Sequence, residues 1–463
     1  MTHHHREPRD PQENSRPLRI LIENSEYWLR NNGDLAMLAV TIARIRDRWP
    51  HARIAVLTDS PPLLRAYFPE AEGVSVFDAD PWAEPSSLEL LAGRLGSRMV
   101  GPIALAWLRS RAWLPQRTRS AWRKLMWIFQ PGGSADQSSD PTATPTRRPV
   151  HSGSAVAARE ASLVLALGGG YLTDADPAQT TRVLNLLEYA CDKGVPVALV
   201  GQGLGPLDNP ALQRRAAEVL PKVDFVSLRE GRRGREVLRR AEVSPDRILV
   251  TGDDAIELAF AARSESMGSD IGICLRVASY SPVSRPVQDL IGQVVRCQTQ
   301  KRSAALLPLI IAEYRSQDRH STLPIVRGAS DVVPALPRYV HPTEIAHRVS
   351  RCRVVVTGAY HLGVFALAQG IPVVALTSSR YYDDKFLGLS EMFGAGLTLV
   401  QLNDPSLAQT LWEALEAAWE TAPAVRESLR TSARAQIEAS RDAFERVFEL
   451  TEERAARQMT PRR

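Results

Sequence analysis

Four short apolar runs, each ending in glycine or charge, constrain this chain more than anything else in it. They are SLVLAL (162–167) before Gly168-Gly169-Gly170, VPVALV (195–200) before GQGLGP, DFVSL (224–228) before Arg229-Glu230, and ILVT (248–251) before Gly252-Asp253-Asp254. Apolar runs this short and without alternation are strands buried on both faces, as in parallel sheets covered by helices. Loops at the carboxyl ends of such strands line a ligand crevice, so the four ends are expected to converge on one cleft. Glycines let a ligand approach backbone N–H groups, and a guanidinium beside them suits phosphate or carboxylate. Gly168, Gly169, Gly170, Gln202, Gly203 and Arg229 are therefore candidates for binding. The alternatives are plain glycine turns and a salt bridge from Arg229 to Glu230 or Asp253.

The chain opens with the same grammar. LRILIE (18–23) reads as a strand, SEYWLRNN as a loop, and GDLAMLAVTIARIRDRW as a helix with Leu35, Leu38, Ile42 and Ile45 at helical spacing. This is the start of a Rossmann-like unit, without the GxGxxG that a dinucleotide requires. Asp34 stands in the first helical turn, as a ligand contact or as a partner for the helix end. Residues 53–57 and 74–77 read as the next strands. A second α/β unit begins with IGICL (271–275) and Arg276. It continues through AALLPLII (304–311) to VVVTGAYHLGVFALAQGIPVVAL (354–376). There a strand runs into Tyr360-His361, a small-residue helix and another strand, and a polar loop then reaches Lys385. A histidine after a strand, opening a helix, can meet a ligand anion together with free backbone N–H groups. It can equally cap its own turn.

A length of 463 residues exceeds one ordinary core and implies two domains. The expected divisions are a mobile tail (1–17), a first domain (18–262), a second domain (268–402) and a helical C-terminal segment (403–463). An insertion (84–155) interrupts the first domain. Between Glu89 and Asp136 no acidic residue occurs, while Arg94, Arg98, Arg109, Arg111, Arg117, Arg119, Arg123 and Lys124 accumulate with Trp107, Trp113, Trp122 and Trp127. That mixture suits an anionic membrane or a lipid-linked substrate; the alternative is packed tryptophans and solvated arginines. Nucleic acid is not expected, since no recognition motif accompanies the charge. A low-complexity linker (131–153) follows. No apolar run approaches the roughly 20 residues of a membrane span, and no apolar signal segment opens the chain. Cys191, Cys274, Cys297 and Cys352 form no CxxC pair, so neither zinc nor a disulfide framework is indicated. A reducing cytoplasm is expected, with peripheral contact at the inner face of the membrane through 90–130 as an option.

Taken together, NNGDLAML, LVLALGGGYL, GQGLGPL, VSLRE, VTGDDA and the His361 stretch with FALAQGIPVVAL resemble the polysaccharide pyruvyl transferase family over about residues 18–400. The resemblance implies an α/β fold of two Rossmann-like domains in a GT-B-like arrangement, with the active site between them. Here the Trp/Arg-rich insertion and the helical C-terminal tail are added to it. It implies transfer of a pyruvyl group from phosphoenolpyruvate to a sugar of a cell-surface polysaccharide or its lipid-linked precursor, as a ketal, without metal or cofactor. On that pattern Arg229 and Arg276 bind anions, and His361 contacts phosphate or acts as general acid. Tyr360, Lys385 and Asp34 line the cleft with the glycines and Gln202. One position departs: family members carry an arginine two residues before the histidine, and here it is Ala359, with Tyr360, Arg380 or Lys385 as possible replacements. That leaves two other readings open, a GT-B glycosyltransferase using a nucleotide sugar and a catalytically weakened binding or assembly component. Oligomeric state is not indicated.

Overall fold

The computed structural model describes residues 17–24, 26–113, 150–278, 281–313 and 318–459. The expectations for the N-terminal tail, for most of the linker, and for Arg117, Arg119, Trp122, Arg123, Lys124 and Trp127 lie outside the described residues.

Two parallel sheets form the frame. The first contains β1 (Arg19–Glu23), β2 (Arg53–Leu57), β3 (Glu72–Val74), β4 (Leu163–Ala166), β5 (Gly169–Leu172), β6 (Val197–Leu204), β7 (Phe225–Leu228) and β8 (Ile248–Val250). Its order is β3-β2-β1-β4-β6-β7-β8, with β5 alongside β6. The second contains β9 (Asp270–Cys274), β10 (Leu306–Pro308), β11 (Cys352–Thr357), β12 (Val373–Thr377) and β13 (Leu397–Gln401), in the order β10-β9-β11-β12-β13. All residues of β4, β6, β9 and β12 are buried, as expected for strands covered on both faces.

Each sheet reverses its direction of growth once, between β1 and β4 in the first and between β9 and β11 in the second. Crevices open at such switch points. Segments after β1, β9 and β11 meet between the domains, joined by others from β5, β7 and β12.

Three elements differ from the sequence reading. β6 does not stop at Val200 but runs through Gly201-Gln202-Gly203 to Leu204, because β5 gives it a further partner, Gly169 opposite Gln202. The segment before Lys385 is not a loop. Arg380–Phe393 is a helix whose buried Tyr382, Phe386, Leu389 and Phe393 recur at helical spacing. Finally, β3 covers only Glu72–Val74, and Ser75 turns instead of extending.

The domains share one apolar core. Leu35, Leu38 and Ile42 of the helix Asn32–Arg48 and Ile256 of the helix Ala255–Ala261 join Leu362 and Phe365 of the helix Tyr360–Ala368. An antiparallel bridge pairs Asn31 with Ala312 across the boundary, with Asn32 N–H donating to the Ile311 carbonyl at 2.8 Å. The 53-residue helix Leu407–Met459 spans both units. Its start packs Leu411 and Leu415 on the second domain, and its end packs Phe444, Val447 and Phe448 beside Trp49 of the first. Polar ties follow the same course: Arg430 Nε donates to the Gln369 carbonyl, and Arg454 pairs with Asp224.

Candidate active site between the two domains

A cleft of about 580 Å³ lies between the sheets' carboxyl ends. Asn31, Asp34 and Glu26 reach it from the loop and helix after β1, and Gly170 from β5. Arg229 enters from the end of β7, Arg276 from the loop after β9, and Tyr360 and His361 from the helix after β11. Tyr381, Tyr382 and Lys385 come from the helix Arg380–Phe393.

His361 occupies the first turn of a helix that is buried throughout its length. Its ring abuts the first helix of the other domain at Gly33. A Cβ at Gly33 would fall 2.1 Å from His361 Nδ1, so only glycine permits this approach. On the other side of the ring, Nε2 lies 3.6 Å from Asp253 Oδ2. Arg229 Nη1 is 3.7 Å from the same oxygen, and its guanidinium stacks on the Tyr360 ring at 4.2 Å. Gly203 is the floor beneath that guanidinium, since a Cβ there would sit 2.6 Å from Nε.

Four buried polar atoms at this point have no hydrogen-bond partner: Arg229 Nε, Asp253 Oδ2, Tyr360 Oη and His361 Nε2. A buried polar group left unpaired costs about 1–3 kcal/mol, so a cluster of them marks a place where a polar ligand completes the bonding.

Lys385 lies beside Arg229, since a Cβ at Gly170 would fall 2.6 Å from Lys385 Nζ and 3.1 Å from Arg229 Nη2. Its Nζ donates to Tyr381 Oη at 2.5 Å, and that hydroxyl donates to the Gly170 carbonyl of the first domain at 2.9 Å. Arg276 is held by a bidentate pair with Asp318, at 2.5 and 2.8 Å. Asp318 Oδ2 also accepts the Ala312 N–H at 2.8 Å, so the interdomain bridge and this guanidinium share one anchor.

The electrostatics follow from burial and like charge. Burial pushes the Lys385 ammonium well below its ordinary range, and Arg229 beside it adds to the effect. Burial likewise lowers His361 strongly, reinforced by Arg229, Lys385 and Arg276. Burial raises the Asp253 carboxyl to about 6, against the pull of Arg229. Desolvation lifts Glu26 to about 7, although its carboxylate accepts the Arg30 N–H at 2.6 Å and the Trp28 N–H at 3.2 Å. Cations that have lost their water are primed for an anion.

Of the residues singled out from sequence, His361, Arg229, Arg276, Tyr360, Lys385, Asp34 and Gly170 line this cleft together. Gly203 lies just behind it, under Arg229. Three do not line it. Gln202 is fully buried, with Nε2 donating to the carbonyls of Leu167 and Ala166 and to Tyr171 Oη, so its amide nitrogen is spent on the chain itself while Oε1 has no partner. Gly168 is required by the neighbouring strand, because a Cβ there would meet the Gly201 carbonyl at 2.6 Å. Gly169 pairs with Gln202 inside the sheet. The sequence reading assigned no role to Glu26, Asp176, Asp318 or Tyr381. Asp253 had appeared only as a salt-bridge partner, although its GDD motif marked the right strand end. Ala359 is fully buried and Arg380 is exposed, and both lie outside the cleft lining; the lining guanidinium and ammonium groups are Arg229, Arg276 and Lys385.

The sequence profile of the polysaccharide pyruvyl transferase family matches residues 31–380, a span that contains every one of these cleft cations except Lys385. The chain belongs to the polysaccharide pyruvyl transferase family. A search of curated proteins found no match. Solved structures match over nearly the full chain. A Listeria monocytogenes protein described as a UDP-N-acetylglucosamine 2-epimerase has a TM-score of 0.55 at 12% identity, covering 95% of this chain and 98% of its own. The UDP-GlcNAc 2-epimerase of Neisseria meningitidis, solved with UDP-GlcNAc, has a TM-score of 0.53 at 11% identity over 94% and 100%. A glycosyltransferase from Rickettsia africae has a TM-score of 0.51 at 8% identity over 95% and 99%. At such identity the likeness is one of fold, and the fold of this pyruvyl transferase family member is GT-B-like.

Proposed function

We propose that this family member transfers a pyruvyl group from phosphoenolpyruvate to a sugar of a cell-surface polysaccharide or its lipid-linked precursor, forming a ketal across two hydroxyls. The observation that carries the reading is the convergence of Arg229, Arg276, Lys385 and His361 on one cleft wall. Phosphoenolpyruvate brings a phosphate and a carboxylate, two anions that this wall can hold at separate points.

The chemistry needs a proton at the methylene carbon and stabilisation of the charge left at the neighbouring carbon. Burial and the three cations Arg229, Lys385 and Arg276 oppose protonation of His361. A bound donor's negative charges offset those cations, so the imidazole gains its proton only when there is something to protonate. After that proton reaches the methylene carbon, one sugar hydroxyl adds to the cationic carbon. The bond to phosphate breaks, and a second hydroxyl adds to close the ketal. Of the two hydroxyl protons released, one restores the acid and the other leaves with phosphate.

Glu26, Asp34 and Asp176 also line the cleft, and we assign the acceptor to them, because carboxyl groups suit sugar hydroxyls. The mechanism asks nothing of a metal or an organic cofactor.

Calorimetric titration of the full chain tests the donor. Phosphoenolpyruvate is expected to bind and UDP-sugars are not. Binding of UDP-sugars alone would replace the reading with a nucleotide-sugar glycosyltransferase, and binding of neither would point to an assembly role.

A further inference from the structure

The insertion presents an exposed apolar surface. Ser86 starts its first helix, Ser87–Leu95, with a capping box to Glu89, and Gly96 at φ 75° turns the chain into the second, Ser97–Trp113. Residues 99–108 of the second helix, MVGPIALAWL, include no polar side chain. One face of the stretch buries Val100, Ala104, Leu105 and Leu108. The other leaves Met99, Ile103 and Trp107 exposed at 63%, 72% and 57%, and the first helix adds exposed Leu88, Leu91 and Leu95. A helix apolar on all sides is ordinarily buried on all sides. A contiguous exposed apolar patch on a surface element marks an interaction site.

The charge identifies the occupant. Arg94, Arg98 and Arg109 are exposed on the same two helices, Arg98 paired with Glu344, and the sequence carries eight basic residues and no acidic one between Glu89 and Asp136. A second copy of this chain would set those charges against themselves. No helix among the described residues is long and apolar enough to cross a membrane. We propose that the Ser87–Trp113 hairpin seats its exposed apolar face in the interface of an anionic bilayer, with its arginines on the lipid headgroups. Partial burial of an apolar face edged by tryptophan and arginine is the mode of interfacial helices.

The hairpin is joined to the cleft. Ser97 Oγ donates to the Tyr339 carbonyl at 2.7 Å, and Gly101 lies so close to the Tyr339 ring that a Cβ would overlap it. Neighbouring Arg338 pairs with Glu313 at 2.5 Å, whose N–H donates to the Arg30 carbonyl at 2.9 Å, beside Asn31 at the cleft's edge. The membrane proposal stands apart from the identity of the donor. It would nevertheless bring the cleft to where a lipid-linked sugar is presented.

The test is co-sedimentation of the full chain with vesicles of equal parts phosphatidylglycerol and phosphatidylcholine, and with vesicles of phosphatidylcholine alone. The chain is expected to sediment with the first and far less with the second. A Met99→Glu, Ile103→Glu, Trp107→Glu triple variant is expected to lose roughly tenfold or more of that binding. All three positions are exposed, so far-UV circular dichroism and donor titration should be unchanged. Equal sedimentation of variant and parent overturns the proposal, as does failure of the parent to sediment with anionic vesicles. Self-association without lipid that the triple variant abolishes would also overturn it, and would assign the face to a second copy.

Discussion

His361 and Asp253 face each other across the domain boundary: Nε2 of the one lies 3.6 Å from Oδ2 of the other, and neither atom has a hydrogen-bond partner. The carboxylate sits at the end of the first domain's last strand, and the imidazole opens a helix of the second. A ring confined by Gly33 on one side and an acceptor oxygen on the other is oriented before any ligand arrives.

Asp253→Asn should therefore separate activity from stability. The carboxyl has a pKa near 6 in the folded chain, against 3.8 ordinarily. Between those values the folded chain keeps a proton that the unfolded chain releases, so this group's contribution to stability falls as pH rises through the window. Asparagine carries no such charge and can keep the bond that Oδ1 accepts from the Ala255 N–H at 3.0 Å. The variant should be more stable than the parent at pH 8, by on the order of 1–3 kcal/mol. That gain should fade as pH falls towards 4. Turnover should drop roughly 10–100-fold, because His361 loses the anion that favours its protonated form. Denaturant titrations at the two pH values, beside initial rates, check both halves.

His361→Ala should remove turnover while leaving the fold intact. Loss of a proton donor of this kind costs roughly 10²–10⁴-fold. His361→Gln keeps a polar group of similar reach but cannot deliver a proton, so it should be about as slow as alanine. If glutamine restores activity, the side chain only caps its helix, and the mechanism fails.

Much of this frame was legible because buried parallel strands advertise themselves. VVVT, VVAL and LVLA have no other comfortable fate, and their polar sequels reached the cleft in seven of the eleven positions named. What stayed hidden was local geometry. Gln202 and Gly168 look like ligand contacts when β6 is taken to end at Val200, and like framework once β5 extends it. Lys385 reads as a loop residue because the Tyr382, Phe386, Leu389 and Phe393 stripe does not stand apart from the polar residues around it. Asp318 lay in a polar run, RSQDRHST, whose spacing carries no trace of its pairing with Arg276 forty-two residues earlier. The C-terminal segment reads as helical and charge-rich, but only the packing of Phe448 on Trp49 shows it returning to the first domain.

Arg229→Lys should weaken donor binding more than it slows the bound complex. The residue is 3% exposed, its guanidinium lies over the Tyr360 ring at 4.2 Å, and its Nε has no hydrogen-bond partner. An ammonium keeps the charge but loses the planar fork and the stacking, a loss of about 1.5–3 kcal/mol for a charge-assisted pair. A rise in KM for the donor of about tenfold or more is expected, with a smaller change in kcat. Steady-state kinetics at saturating acceptor separate the two.

Phe448→Ala probes the strap between the domains. The ring is 2% exposed and meets Trp49 edge-on at 4.8 Å, with Phe444 at 5.9 Å on its other side. Its truncation should cost about 3–5 kcal/mol, the range for a buried aromatic. The change is remote from the cleft, so KM for the donor should hold at temperatures where the variant is folded. Thermal unfolding and a donor titration below the transition distinguish this from a variant with a distorted site.

Gly33→Ala tests whether the two domains must approach as closely as they do. A methyl group at this position would lie 2.1 Å from His361 Nδ1 and 2.2 Å from Cγ, well inside any allowed contact. The imidazole cannot retreat far, because Asp253 and Tyr360 lie behind it, the latter with ring centroids 5.4 Å away. The helix Asn32–Arg48 is held just as firmly, with Asn31 Oδ1 accepting the Gly33 N–H and Asn32 N–H bonded to Ile311. Alanine normally favours a helix over glycine by about 1 kcal/mol, so a site without this contact would be stabilised by the change. Here the clash should dominate, with a net loss of about 1–3 kcal/mol and a fall in turnover as His361 leaves its place against Asp253. Urea denaturation fixes the sign of the stability change. An increase would mean that His361 does not rest on Gly33 in solution.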